Sequence, residues 1–101
     1  MNQLQVTEEW RDIPGYPGSY EVSNLGNVRS LRDSQPVLMR LTKSSQGAML
    51  VKLYLHGFGQ TYRVAALVWS AFQGPTKEPI YHKDRDAANN NFENLTLERT
   101  K

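Results

Sequence analysis

The hydrophobic period of this chain changes abruptly at Arg63, and that change is the strongest constraint on its fold. Val51, Leu53 and Leu55 alternate with Lys52, Tyr54 and His56. One face is therefore apolar and the other polar, the pattern of a half-buried strand. Gly57-Phe58-Gly59-Gln60 reads as the turn, and Thr61-Tyr62-Arg63 as the returning partner strand. Beyond it, Val64, Leu67, Val68, Ala71 and Phe72 fall at i, i+3, i+4, i+7 and i+8. That stripe predicts one amphipathic helix over about 64–73, stopped by Gly74-Pro75. A hairpin feeding a helix predicts an α+β fold of short antiparallel hairpins with a single helix.

The first third of the chain repeats the hairpin pattern. Pro17 and Gly18 make a turn, Tyr20 and Val22 alternate with polar neighbours, and Asn24-Leu25-Gly26-Asn27 turns again. Gly26 suits a positive φ at that point. Val28 to Leu31 returns as a strand, with Trp10 and Ile13 covering its apolar face. Towards the other end, Ile80-Tyr81-His82 is a short extended piece, the segment from Asp84 to Asn91 is polar and turn-rich, and Leu95 and Leu97 mark a last strand. Trp10, Trp69, Tyr20 and Phe72 are expected in the core.

Composition narrows the function classes. The chain has 101 residues, 39% of them hydrophobic, which suffices for one modest core. It has no cysteine, which excludes disulfides, thiolate metal sites and a cysteine nucleophile. No apolar run approaches the roughly 18 residues that span a bilayer, and the first residues lack the basic head and apolar core of a signal peptide. A soluble, cytoplasmic protein is the expectation. The net charge of +2 is unevenly spread. Residues 1–28 carry Glu8, Glu9, Asp12 and Glu21 against Arg11 alone, a net −3. Residues 29–66 carry Arg29, Arg32, Arg40, Lys43, Lys52 and Arg63 against Asp33, a net +5. A basic middle third is where a polyanion would be held, because cationic side chains displace counterions from phosphates. A solvated sheet face with ordinary lysines has the same composition.

Two segments carry a family resemblance. Residues 9–31 read Glu-Trp-Arg-Asp-Ile-Pro-Gly-Tyr-Pro-Gly-Ser-Tyr-Glu-Val-Ser-Asn-Leu-Gly-Asn-Val-Arg-Ser-Leu. This run resembles the N-terminal nuclease-associated modular motif found beside HNH nuclease domains in phage and intron-encoded homing endonucleases. Residues 62–97 resemble the HNH region that follows. Val64-Ala65-Ala66-Leu67-Val68 stands where that family reads Val-His-Arg-Leu-Val, and His82-Lys83-Asp84-Arg85-Asp86 where it reads His-Lys-Asp-Gly-Asn. Asn89-Asn90 and Glu93-Asn94-Leu95 complete the match. The resemblance implies a modular-motif region over 1–48 and an HNH-like region over 49–101. It implies double-stranded DNA as partner and a phage-infected bacterial cytoplasm as setting. It places His82 at the general base, where an imidazole of pKa near ~6.5 is neutral at physiological pH.

The same resemblance locates what has changed. The residue before the base, often a metal-binding carboxylate in the family, is Tyr81, and a neutral phenol is a poor ligand for a hard divalent cation. Ala65 and Ala66 replace the family's histidine and arginine. The helix that closes the family's ββα unit is not expected before Lys101, so the HNH-like half reads as truncated. No metal-ligand set is therefore assigned, and no cofactor is expected. Three readings stay open. The chain is a degenerate relative that binds DNA, or a host protein, as a regulator or inhibitor. Or it is a shortened or altered form of a nicking homing endonuclease that uses Mg²⁺ or Mn²⁺. Or Asp84 or Asp86 holds the cation. For His82 a structural role, with its ring bonded to the nearby turn, stands beside the catalytic one. Asp84, Asp86, Asn89 and Asn90 read as Asx turns or as phosphate or metal contacts. Arg29, Arg32, Arg40, Lys43, Lys52 and Arg63 are the candidate DNA contacts.

Overall fold

The computed structural model of the chain describes residues 7–99; the leader reading of the first residues and the expectation about a terminal helix lie outside them. The fold is α+β, with three small antiparallel sheets around one helix. The first sheet joins β1 (Trp10–Asp12), β2 (Tyr20–Ser23), β3 (Val28–Ser30) and β4 (Val37–Leu38) in that order. The second joins β5 (Thr42–Lys43), β6 (Met49–Leu55) and β7 (Phe58–Arg63). Helix α1 (Val64–Phe72) follows directly, and β8 (Tyr81–His82) pairs with β9 (Leu95–Thr96).

The turn between β6 and β7 is tighter than the sequence reading placed it. Leu55 pairs with Phe58, leaving only His56 and Gly57 as the loop. Both take positive φ, 51° and 84°. That is the twist a two-residue antiparallel hairpin requires, and glycine supplies it at the second position. Phe58, Gly59 and Gln60 therefore belong to β7 rather than to the turn. Gly59 sits in the strand for a different reason: a Cβ there would lie 2.6 Å from Lys52 Cε and 2.7 Å from Tyr54 Cε1. Its bare backbone lets those two side chains arch across the strand.

The β2–β3 turn is built by one buried side chain. Ser23 Oγ accepts the N–H groups of Leu25 and Asn27, at 3.2 and 3.1 Å. The Ser23 and Asn27 backbones close the loop at 2.8 Å, so the core tolerates this hydroxyl because it is satisfied. Strands β1, β4 and β5 carry no legible sequence pattern. They are two or three residues long, and exposed positions dominate each of them.

A single apolar cluster holds the sheets and the helix together. Ile13, Tyr16, Tyr20, Val22 and Val28 from the first sheet region meet Val51, Leu53, Val64, Leu67, Val68 and Leu95. Each fully buried aliphatic side chain of this kind contributes about 1.5–3 kcal/mol. Two polar seams cross the cluster: Tyr16 and Tyr62 share a hydroxyl–hydroxyl bond of 2.8 Å, and the Tyr54 N–H donates to Tyr20 Oη at 3.1 Å. Strand pairing also crosses position 48, since Lys43 pairs with Met49. Tyr20 is a core residue, whereas Trp69 and Phe72 are half-buried against Phe92. Trp10 is half-buried and carries a guanidinium rather than apolar neighbours on one face.

No helix among the described residues is long and apolar enough to cross a membrane.

Candidate functional site

His82 ends β8, at the edge of a loop that organises itself through carboxamides and one carboxylate. Asp84 accepts the Asp86 N–H at 2.8 Å and the Asn94 Nδ2 at 2.9 Å on one oxygen. Its other oxygen accepts Asn89 Nδ2 at 2.8 Å. These bonds, that from Asn89 first, hold the Asp84 carboxyl below its ordinary pKa. Asn94 also donates to the Asn89 carbonyl at 2.9 Å, and its Oδ1 accepts the Asp84 N–H at 3.1 Å. Asp86 accepts the Ala88 N–H at 3.0 Å. The Asx-turn reading describes these residues. Arg85 turns the loop at φ 63°, a left-handed conformation, where the family motif reads glycine.

The loop delivers Asn90 to the imidazole. Asn90 is only 4% exposed, and its Oδ1 lies 2.7 Å from His82 Nε2. In the tautomer with its proton on Nε2, that nitrogen donates to Asn90 Oδ1 and Nδ1 carries the lone pair. The ring is thus anchored at one nitrogen and chemically available at the other. The bonded partner comes from the far side of the loop and not from the adjacent turn.

A cleft of about 370 Å³ opens beside this pair. Its walls include His82, Asn90, Arg63, Ala65, Ala66 and Glu78. Arg63 is the last residue of β7, so the strand-to-helix junction places an exposed arginine in the wall of the cleft that holds the imidazole. An imidazole and a cationic side chain in the wall of one cleft suit a substrate with an anionic group and a transferable proton.

The described residues do not fit a divalent cation. Tyr81 presents a phenol, both Asp84 oxygens already accept bonds within the loop, and Glu78 is the one carboxylate in the cleft wall. Among the described residues, no three His, Asp or Glu side chains gather closely enough to hold a metal.

The six candidate DNA contacts divide in two. Arg29 is committed internally: its guanidinium bonds Glu21 at 2.7 Å and lies 4.0 Å above the Trp10 ring. Arg32 is exposed but donates to Tyr20 Oη at 3.1 Å. Arg40, Lys43, Lys52 and Arg63 are exposed and make no salt bridge among the described residues. Cross-strand pairing puts Lys52 and Arg63 on one face of the second sheet, with Thr42, Tyr54 and Thr61. From residue 34 to residue 77 the chain contains no Asp or Glu. This sheet is therefore cationic without an internal counter-charge. Sequence reasoning missed the Glu21–Arg29 pairing, though the register of two short strands carries it, and missed Asn90 as the partner of His82.

Three comparisons bear on this geometry. The NUMOD4 motif matches residues 8–58. DNA endonuclease I-HmuI of Bacillus phage SP01 is 36% identical over 89 residues, covering 86% of this chain and 50% of that protein. The solved structure concerning DNA binding and cleavage by the HNH homing endonuclease I-HmuI superposes with a TM-score of 0.77 at 35% identity, again covering 86% of this chain and 50% of that one. The chain spans about half the length of the relative it matches.

Proposed function

From the chain's membership of the HNH homing-endonuclease family, as a bearer of its NUMOD4 motif, we propose that it binds double-stranded DNA along the cationic face of β5–β7. The observation that carries this reading is the continuity of Lys52 and Arg63 on one sheet face with the cleft at His82. A phosphate backbone running along that face meets cations first and the imidazole last. Cation contacts to phosphates position a duplex without reading its sequence.

On this proposal the described residues hold DNA without efficient metal-dependent cleavage, because Tyr81 offers a neutral phenol and the Asp84 carboxylate is engaged in three bonds within its own loop. A protein of that kind acts by occupying DNA, as a regulator or inhibitor. A second reading, metal-dependent nicking, is favoured by the I-HmuI relationship and by the anchored imidazole. Incubation with supercoiled plasmid and Mg²⁺ or Mn²⁺ separates the two. Open circles that vanish in His82→Ala would establish nicking and reject the first reading. Gel shifts with Lys52→Ala and Arg63→Ala test the DNA face; unchanged shifts would turn the search for a partner to a host protein.

A further inference from the structure

The β2–β3 turn touches the candidate site through one residue. Gly26 is buried and takes φ 91° at the tip of the turn. A Cβ at Gly26 would stand 3.0 Å from Asn90 Cβ and 3.2 Å from both Asn90 C and Asn90 O. Most of those atoms are backbone, which cannot swing aside as a flexible side-chain tip can. One hydrogen bond fixes the same approach, from the Phe92 N–H to the Asn24 carbonyl at 2.7 Å. The turn thus grips the chain on both sides of Asn91, and Asn90 in turn holds His82 Nε2.

We infer that the β2–β3 turn of the modular motif is a positioning device for the His82 imidazole, with Gly26 acting through Asn90. The inference rests on the proposed role of the His82 cleft, but the linkage itself is geometric. Closing the gap at Gly26 pushes the Asn90 backbone by a few tenths of an ångström. A bond of 2.7 Å lengthened by that displacement stays within hydrogen-bonding range but weakens. The imidazole is then held less tightly at Nε2 and reorients in the cleft. A motif that binds DNA with one surface would in this way set the reactive ring with another.

The molecule supplies its own control. Gly15 has the same φ of 91°, yet a Cβ there meets nothing within 4 Å. Gly15→Ala carries the same backbone strain without the push on Asn90. The experiment is ¹⁵N-edited NMR of the His82 ring in the full chain, comparing wild type, Gly26→Ala, Gly15→Ala and Asn90→Ala. The hydrogen-bonded Nε2–H resonance is expected at one position in wild type and Gly15→Ala, moved upfield in Gly26→Ala, and lost in Asn90→Ala. Retention of the wild-type resonance in Gly26→Ala would overturn the inference. Should Gly26→Ala not fold, hydrogen exchange in wild type decides. The Phe92 amide and the His82 ring proton are expected to share one opening constant, and independent opening rejects the linkage. Plasmid nicking is scored in parallel. A ring that shifts in Gly26→Ala with no nicking in any protein sustains the linkage and removes the nuclease reading. Nicking with an indifferent ring does the reverse.

Discussion

If the second sheet holds DNA, affinity must fall with salt at a rate that counts its free cations. Two side chains qualify on the proposed face, Lys52 and Arg63; Arg40 precedes β5, Lys43 pairs with Met49 and so belongs to the opposite face, Arg29 is spent on Glu21 and Arg32 bonds Tyr20. Each phosphate neutralised contributes about −0.9 to the slope of log K against log salt, so two contacts set a slope of about −1.8. Between 50 and 200 mM salt, that slope lowers the affinity about 12-fold. Removing Lys52 and Arg63 together should remove that slope, and removing either one should halve it to about −0.9. Arg29→Ala should leave the slope unchanged and lower stability instead, since Glu21 loses its only ion-pair partner among the described residues. Fluorescence anisotropy with a labelled duplex at several KCl concentrations measures these slopes. A wild-type slope near zero, or one that ignores the double substitution while following Arg29→Ala, would refute the assignment of the DNA face.

Three further outcomes follow from the geometry. Arg85→Gly should stabilise the chain by about 1 kcal/mol, because it relieves a left-handed φ at a non-glycine residue; a lower melting temperature would contradict this. Tyr20→Phe removes the acceptor for both the Tyr54 N–H and the Arg32 guanidinium. It should cost about 1–3 kcal/mol in urea unfolding, and a loss near zero would mean that water replaces the hydroxyl. The bond to Tyr62 pushes the Tyr16 pKa up from 10.0 to about 12. Below pH 10 that preference contributes its full stability; it is lost as pH rises from 10 towards 12, because the unfolded chain ionises first. In Tyr62→Phe the latest tyrosinate absorbance step should move down towards 10, and an unmoved step would deny the coupling.

Much of the architecture was legible because it depends on neighbours in the chain. The alternation at 51–55 and the stripe from Val64 to Phe72 announced β6 and α1, and Gly26 marked the turn between β2 and β3. The reading failed where local signals competed. Gly57 and Gly59 looked like one turn, yet only Gly57 is needed for backbone twist. Gly59 instead makes room for two side chains of the neighbouring strand. Strands β4 and β5 were invisible because Val37, Leu38, Thr42 and Lys43 are all exposed, so no burial shaped their pattern.

By itself the sequence determined the class of fold, the family resemblance, the place of His82 and the cationic middle third. Each of these is carried by residue identity and by spacings of a few positions. Only the tertiary structure decided which cations remain free and which nitrogen of His82 is anchored. It also decided that a turn near residue 26 presses on a loop near residue 90. The first two rest on contacts across turns, Glu21 to Arg29, Tyr20 to Arg32 and His82 to Asn90, and the last on an approach between opposite halves of the chain; no local hydrophobic period encodes any of them.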